Sequence, residues 1–297
     1  MAKVICPWDL VTNFVTDAFI GYGIPEEDAK ICTDILLESD RRGIESHGCN
    51  RFKPIYLDRI KAGIQNPVTN FEIIKETPTT AVVDGNNGMG QVIGYKAMQM
   101  AIDKAKQYGM GMVVVRNSCH YGIAGYYAKM ACNEGLIGMS MTNSEAIMVP
   151  TFARKAMLGS NPIAIAMPAE PYDFFFDAST TVVTRGKLEI YNKLDKPLPD
   201  MWALDKNGKG TSDASDVLKN IVAKAGGGIM PLGGETEKLG SHKGYGWGMV
   251  CEIFCSILSM GITSNHTHQN GKGGTCHSFA AIDPSIFGNA DEIREHL

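Results

Sequence analysis

The chain has no basic tract, no paired-cysteine motif and no long uninterrupted apolar run, and each absence removes a class of function. Its 28 Lys and Arg are outnumbered by 32 Asp and Glu, for a formal net charge of -4, which argues against a nucleic acid or an anionic membrane surface as the main partner. The cysteines (Cys6, Cys32, Cys49, Cys119, Cys132, Cys251, Cys255 and Cys276) include no CxxC pair. Several fall inside apolar helical patterns, so they read as reduced, buried thiols and not as a disulfide framework. The most apolar window, Tyr245 to Ile262, carries Glu252 in its middle and several glycines, and reads as a core helix too interrupted to span a bilayer. The start, MAKVICPWDLV, has no charged region followed by a long apolar stretch, so no secretory signal and a cytoplasmic location are expected. GxxxxGK[ST], GxSxG and HExxH do not occur, which leaves P-loop, α/β-hydrolase and zincin readings without an anchor. There is no internal repeat or low-complexity tract.

What is present is enough chain for a sizeable core: 297 residues read better as two unequal domains than as one. The periodicity predicts helices over Pro7 to Ile20, from Pro25 with its acidic first turn Glu26, Glu27 and Asp28, and over Phe52 to Ala62, closed by Gly63. After Asn66-Pro67 the pattern alternates. Phe71 to Lys75 and Thr80 to Asp84 read as strands, Val92 to Lys106 as a helix, Met110 to Val115 as a strand, Ile123 to Glu134 as a helix and Leu136 to Met141 as a strand, the order of an α/β lobe. Beyond it, Pro162 to Ala166, Phe174 to Phe176 and His277 to Ile282 read as strands. Leu194 to Gly210 is turn-rich, and His242 to Met260 reads as the longest helix.

Ser46-His47-Gly48-Cys49-Asn50-Arg51 sets a titratable imidazole beside a fixed cation, a pairing suited to reducing a 2-oxo acid. Arg51 can hold a carboxylate bidentately, while a histidine delivers a proton to the neighbouring carbonyl oxygen. His120 lies just past the Met110 to Val115 strand, where α/β proteins tend to place ligands, or it caps the helix that follows. Gly85 to Gly94 follows a strand and opens a helix, but its GxGxxxG spacing is one residue too long for a dinucleotide fingerprint and reads better as a plain turn. Asn161 and the Asp177-Ala178-Ser179-Thr180-Thr181 turn can present polar groups to a phosphate or ribose, or act as helix caps; Asp177 can instead orient a histidine. His242-Lys243-Gly244 opens a helix whose free amides favour an anion. His266-Thr267-His268 has a chelating spacing inside an Asn, Gln and Gly-rich loop, and no metal is expected.

Seven segments, SHGCNRFKPIYLDRIKAG, VRNSCHYGIAGYYA, GSNPIAIAMPA, FDASTTVVTRGK, MPLGG, HKGYGWGMVCEI and FAAIDP, occur in an order and at separations that resemble the malate/L-lactate dehydrogenase family of the second type. That family also includes ureidoglycolate dehydrogenases, sulfolactate dehydrogenases and diketogulonate reductases. The resemblance implies an α/β fold: a mixed-sheet, non-Rossmann nicotinamide-binding domain over residues 71–283, and a smaller helical domain over 1–70 joined by 284–297. It implies a homodimer using NAD or NADP to interconvert a 2-hydroxy acid and a 2-oxo acid, with malate and oxaloacetate the first choice. By position, His47 or His120 would be the acid/base, Asp177 its supporter, Ser46 its neighbour and Arg51 the carboxylate clamp. Cofactor contacts would come from Ser144, Asn161, Ala178, Ser179, Thr180, Thr181, Arg185, Lys187, His242, Lys243 and Gly244. Two departures stand out: the family's Pro-Gly-Glu-type segment near the cofactor is not in this sequence, and Thr151-Phe152-Ala153-Arg154 replaces a glycine pair. The alternatives are therefore a cyclic imine acid or ureidoglycolate-type enzyme, or a ligand-binding paralogue with weak catalysis.

Overall fold

In the computed structural model, which describes residues 5–267, 271 and 273–297, three helical segments precede any strand. Helix α1 spans Trp8–Gly21 and α2 spans Glu26–Arg41, with Pro25 fixing the entry backbone of α2 and three acidic residues in its first turn. A third helical stretch begins as α3, Cys49–Arg51, passes through a π-helical turn, Phe52–Leu57, and ends as α4, Asp58–Lys61. It starts three residues before the predicted helix and is not uniformly α. Ala29, Cys32, Leu36 and Ser39, spaced three or four apart along one stripe of α2, are all at 0% exposure. With Val15, Phe19 and Tyr56 the apolar members of that stripe form a helical-lobe core that continues into Met89 and Val92.

A seven-stranded mixed sheet follows, in the order β1-β2-β3-β9-β4-β5-β6. Its strands are β1 Glu72–Glu76, β2 Thr80–Asp84, β3 Met110–Ser118, β4 Ile137–Thr142, β5 Ile163–Met167, β6 Phe174–Ala178 and β9 Thr275–Ile282. Only β2 and β3 pair in parallel; the other neighbours are antiparallel. The strand last in sequence, β9, is inserted between β3 and β4, which puts Cys276, His277 and Phe279 at the centre of the sheet at 0% exposure. Helices α5 (Gly90–Tyr108) and α6 (Ala124–Asn133) cover one face, burying Met98, Ile102, Tyr127 and Ala131 against Val113, Val115 and Phe279.

The glycine loop before α5 is a packing device. A Cβ on Gly90 would run into the carbonyl oxygens of Cys119 and His120, and one on Gly94 would lie 2.8 Å from the Tyr127 ring. The loop brings α5 onto the His120 segment, and its buried N-cap, Met89, offers no open anion site.

Residues 185–229 depart most from expectation. They carry α7 (Arg185–Lys193), α8 (Ala214–Ala223) and a two-stranded ribbon, β7 Ala203–Leu204 and β8 Gly228–Ile229. Leu188, Leu198, Ala203, Val217 and Ile229 give them a separate apolar cluster. Helix α9, Ser241–Glu252, runs on into a second π-helical turn, Ile253–Ile257. Its continuous helical run, 241–259, equals the 19 residues of α5 in length and does not exceed it. Nor is it wholly a core helix: Cys251, Glu252, Cys255 and Ser256 are buried, but Trp247, Ile253, Ile257 and Leu258 are 54%, 47%, 53% and 48% exposed. The closing segment with α10, Ala290–His296, was expected beside the N-terminal helices. Its described contacts are with the α/β lobe: Ile286 lies over Gly109, and the Glu170 N–H donates to the Arg294 carbonyl. Among the described residues no helix is long and apolar enough to cross a membrane.

Candidate active site

Where the N-terminal helices meet the sheet and α7, a cavity of about 520 Å³ is lined by His47, Arg51, Arg59, His120, Ser144, Glu145, Arg185 and Glu189, among others. The turn after α2 brings His47 there: the Ile44 N–H donates to the Ser39 carbonyl, the His47 N–H donates to the Ile44 carbonyl, and the Asp40 carboxylate accepts the Cys49 N–H at 2.8 Å. His120 comes from the loop leaving β3. The two imidazoles stack with centroids 5.7 Å apart and planes 23° from parallel.

Each ring is held by its Nδ1. That of His47 is 2.8 Å from the Ser46 hydroxyl. That of His120 accepts the Gly122 N–H at 3.3 Å and lies 2.7 Å from the Tyr56 hydroxyl. A nitrogen that accepts from a backbone amide carries no proton, so the neutral His120 ring bears its proton on Nε2. Among the described residues no protein group takes Nε2 of either ring, which leaves both edges for a ligand. Burial, helped by the charge of Arg51, pushes His47 down to about 4 against a partial counterweight from Glu189. Burial also holds His120 well below the usual histidine range, with His47, Arg59 and Arg51 adding in the same direction.

Arg51 is oriented before any substrate arrives. Its Nε donates to the Ser46 carbonyl at 2.6 Å and its Nη2 pairs with Glu189 at 2.8 Å. Gly186 makes this possible, since a Cβ there would lie 2.7 Å from Arg51 Nη2 and 2.8 Å from Ser46 Cβ. Arg185 donates to Glu189 at 3.1 Å and to Glu145 at 3.4 Å.

The structure therefore brings together Ser46, His47, Arg51, His120, Ser144 and Arg185. It does not join Asp177 to either imidazole. The Asp177 carboxylate accepts the Gly125 N–H at 2.7 Å at the start of α6, and burial pushes it above the usual carboxylate range. Asn161 sits one layer below the cavity, fully buried, donating to the Gly248 carbonyl and to Glu252 and accepting the Ser144 N–H. Thr180 and Thr181 are buried, with hydroxyls donating to the Ser160 and Val183 carbonyls; Ser179 donates to the Thr181 carbonyl, and Ala178 ends β6. That turn joins the start of α9 through Leu232, whose N–H donates to the Thr180 carbonyl and against which Gly244 packs. His242 and Lys243 stand exposed beside it, while Lys187 is exposed on α7. Of the His266-Thr267-His268 motif, His268 lies outside the described residues; among those described, no three His, Cys, Asp or Glu side chains form a group that could hold a metal ion.

Sequence reasoning missed Arg59, Glu145 and Glu189 as cavity groups, the Tyr56 hydroxyl as the partner of His120, and His277 as a buried polar anchor between Thr142 at 2.7 Å and Ser118 at 2.7 Å. Tyr56 and Arg59 stand in the SHGCNRFKPIYLDRIKAG segment without a chemical signature of their own, and only the chain's folding brings Glu145, Glu189 and His277 to their places.

A mixed sheet, a paired-histidine cavity and an oriented guanidinium define an oxidoreductase of the 2-hydroxy-acid dehydrogenase class. The family profile of malate/L-lactate dehydrogenase matches residues 6–297, and the chain belongs to that family. It is 43% identical over 293 residues to a malate dehydrogenase of Pyrococcus horikoshii, covering 98% of this chain and 79% of that protein. It is 40% identical over 292 residues to an L-sulfolactate dehydrogenase of Methanocaldococcus jannaschii, covering 96% and 79%. The crystal structure of malate dehydrogenase from Entamoeba histolytica superimposes with a TM-score of 0.96 at 41% identity, over 99% of this chain and 83% of that one.

Proposed function

We propose that the protein is a cytoplasmic, homodimeric NAD- or NADP-dependent dehydrogenase that interconverts malate and oxaloacetate. The observation that carries the chemistry is the pair of stacked imidazoles with unpartnered Nε2 atoms, in one cavity with Arg51. The malate dehydrogenases among the relatives support the choice of acid.

The residues present fit a nicotinamide dinucleotide. Ser144, Ser160 and Arg185 line the cavity, and the Ala178 to Thr181 turn leads through Leu232 to His242, Lys243 and the amides opening α9, where a pyrophosphate would sit. When bound in reduced form, the cofactor supplies a hydride to the keto carbon. Arg51 then holds the substrate carboxylate, and an imidazole Nε2, His47 in our reading with His120 beside it, gives its proton to the carbonyl oxygen. The C=O bond becomes a CH–OH, and the ring regains its proton from solvent. In the other direction the neutral ring favoured by burial takes the hydroxyl proton, and an anionic substrate draws its affinity for that proton back up.

The exposed apolar face of α9, with Phe174 and Phe176 on the edge strand β6, supplies surface for the second copy. Loss of absorbance at the reduced-nicotinamide wavelength, followed with NADH and NADPH against oxaloacetate, pyruvate, a ureido 2-oxo acid and a cyclic imine acid, tests the proposal. Oxaloacetate should give the highest kcat/KM with one of the two cofactors. No turnover with any 2-oxo acid would refute the reading.

A further inference from the structure

The charged groups lining the cavity do not balance. Three guanidiniums, Arg51, Arg59 and Arg185, face two carboxylates, Glu145 and Glu189. Glu189 is shared between Arg51 and Arg185, and Glu145 lies 3.4 Å from Arg185. Arg59 has no ion pair and no hydrogen bond from its guanidinium among the described residues. A half-buried cation left in this state is destabilised by its desolvation, so it is retained at a cost that an arriving anion would remove.

Its position is as informative as its charge. The fields of Arg51 and Arg59 both reach His120, whereas only Arg51 is felt at His47. Arg59 instead neighbours Cys119, Glu145, Tyr56 and Arg185. A substrate whose carbonyl lies at the imidazole edges thus shares its cavity with two guanidiniums, Arg51 and Arg59. The π-helical turn, Phe52–Leu57, creates this arrangement. Two α-turns take about 7.2 residues, so an eighth residue would fall roughly 80° off the cavity face of a regular helix. The wider π turn absorbs the extra residue, and Arg51 and Arg59 line one cavity.

We propose that Arg59 is the specificity-determining residue of this site: it binds a second anionic group at the far end of the substrate and so selects 2-oxo and 2-hydroxy acids bearing two negative charges over monocarboxylates. This rests on the dehydrogenase reading above and adds the residue and the substrate class. The distal group is a carboxylate or a sulfonate, which present the same charge to a guanidinium.

The test measures kcat/KM for oxaloacetate, 3-sulfopyruvate and pyruvate in the wild type, Arg59→Gln and Arg59→Lys, alongside thermal shifts with succinate and butyrate. Loss of a charge-assisted contact in a closed site costs about tenfold to a hundredfold. The ratio of oxaloacetate to pyruvate efficiency should therefore fall at least about tenfold in Arg59→Gln, chiefly through KM, and recover in part in Arg59→Lys. A larger loss for one of oxaloacetate and 3-sulfopyruvate identifies the distal anion. Succinate should raise the melting midpoint of the wild type more than butyrate does, and this difference should vanish in Arg59→Gln. An unchanged ratio, or equal succinate stabilisation of wild type and Arg59→Gln, overturns the proposal. A wild type inert toward all three acids would instead refute the dehydrogenase reading, while the succinate comparison would still decide the role of Arg59.

Discussion

Arg51 contacts the Ser46 carbonyl and Glu189 through a planar fork, and a point charge cannot reproduce both contacts while holding a carboxylate. Arg51→Lys should lower kcat/KM by about a hundredfold with the fold retained, checked by steady-state kinetics beside circular dichroism. Gly186→Ala should give a similar loss without replacing any charged residue, because its Cβ would displace Arg51 and Ser46; wild-type kinetics in that variant would show that Arg51 needs no such exact seat. The low proton affinity of His47 sets a pH signature. The free enzyme needs a neutral ring to oxidise a hydroxy acid, so kcat/KM for malate should hold its plateau below the ordinary histidine range and fall with a midpoint near 4. A limb centred at 6.5, the unperturbed value, would contradict the burial argument. His47, Arg51 and His120 were legible in the sequence because their chemistry and loop context are local. Glu189 and Arg59 were not, since one answers a partner 138 positions away and the other faces the cavity only through a π turn.

At the scale of elements, α5 and the His120 loop are locked by contact between backbones. Gly90→Ala would push its methyl into the Cys119 and His120 carbonyls, neither of which can swing aside as a side chain can. The melting midpoint and turnover should fall together, by roughly 1–3 kcal/mol of stability for an overpacked site. The proposed homodimer puts the α9 face against the second copy. If the proposed dimer forms through this face, Ile257→Glu, on a side chain 53% exposed, should leave the monomer fold intact and shift sedimentation from dimer toward monomer; an unchanged sedimentation coefficient would contradict a dimer through this face. Elements with clean periodicity were read closely: β2 at both of its observed ends and α2 to within a residue of its start. The segment 185–229 was not. Its two-residue strands are too short for any alternation to register, and α7 and α8 draw their stability from packing on each other more than from pattern.

Across the whole molecule, the sheet's order is what sequence could least reveal: β9 enters last and pairs with β3 and β4, a placement set by long-range packing. It carries His277, buried at 0% exposure and pushed down to about 3 by that burial. An unfolded chain regains the ordinary value of 6.5, so between about 6.5 and 3 the unfolded state binds the proton that the folded state refuses. His277 therefore adds no penalty above 6.5 and erodes stability as pH falls through that window, with His47 and His120 acting in the same sense. The melting midpoint should drop steadily under acidification, and less steeply in His277→Gln; parallel slopes would contradict this. The central claim is that proton delivery to the substrate comes from the stacked imidazole pair. Its most direct test is NADH or NADPH consumption with oxaloacetate by wild type and by the His47→Gln, His120→Gln double variant at matched folded concentration. A loss of about 10² to 10⁴ in kcat is predicted, the contribution of a positioned acid/base. A double variant turning over within a few-fold of wild type would contradict it.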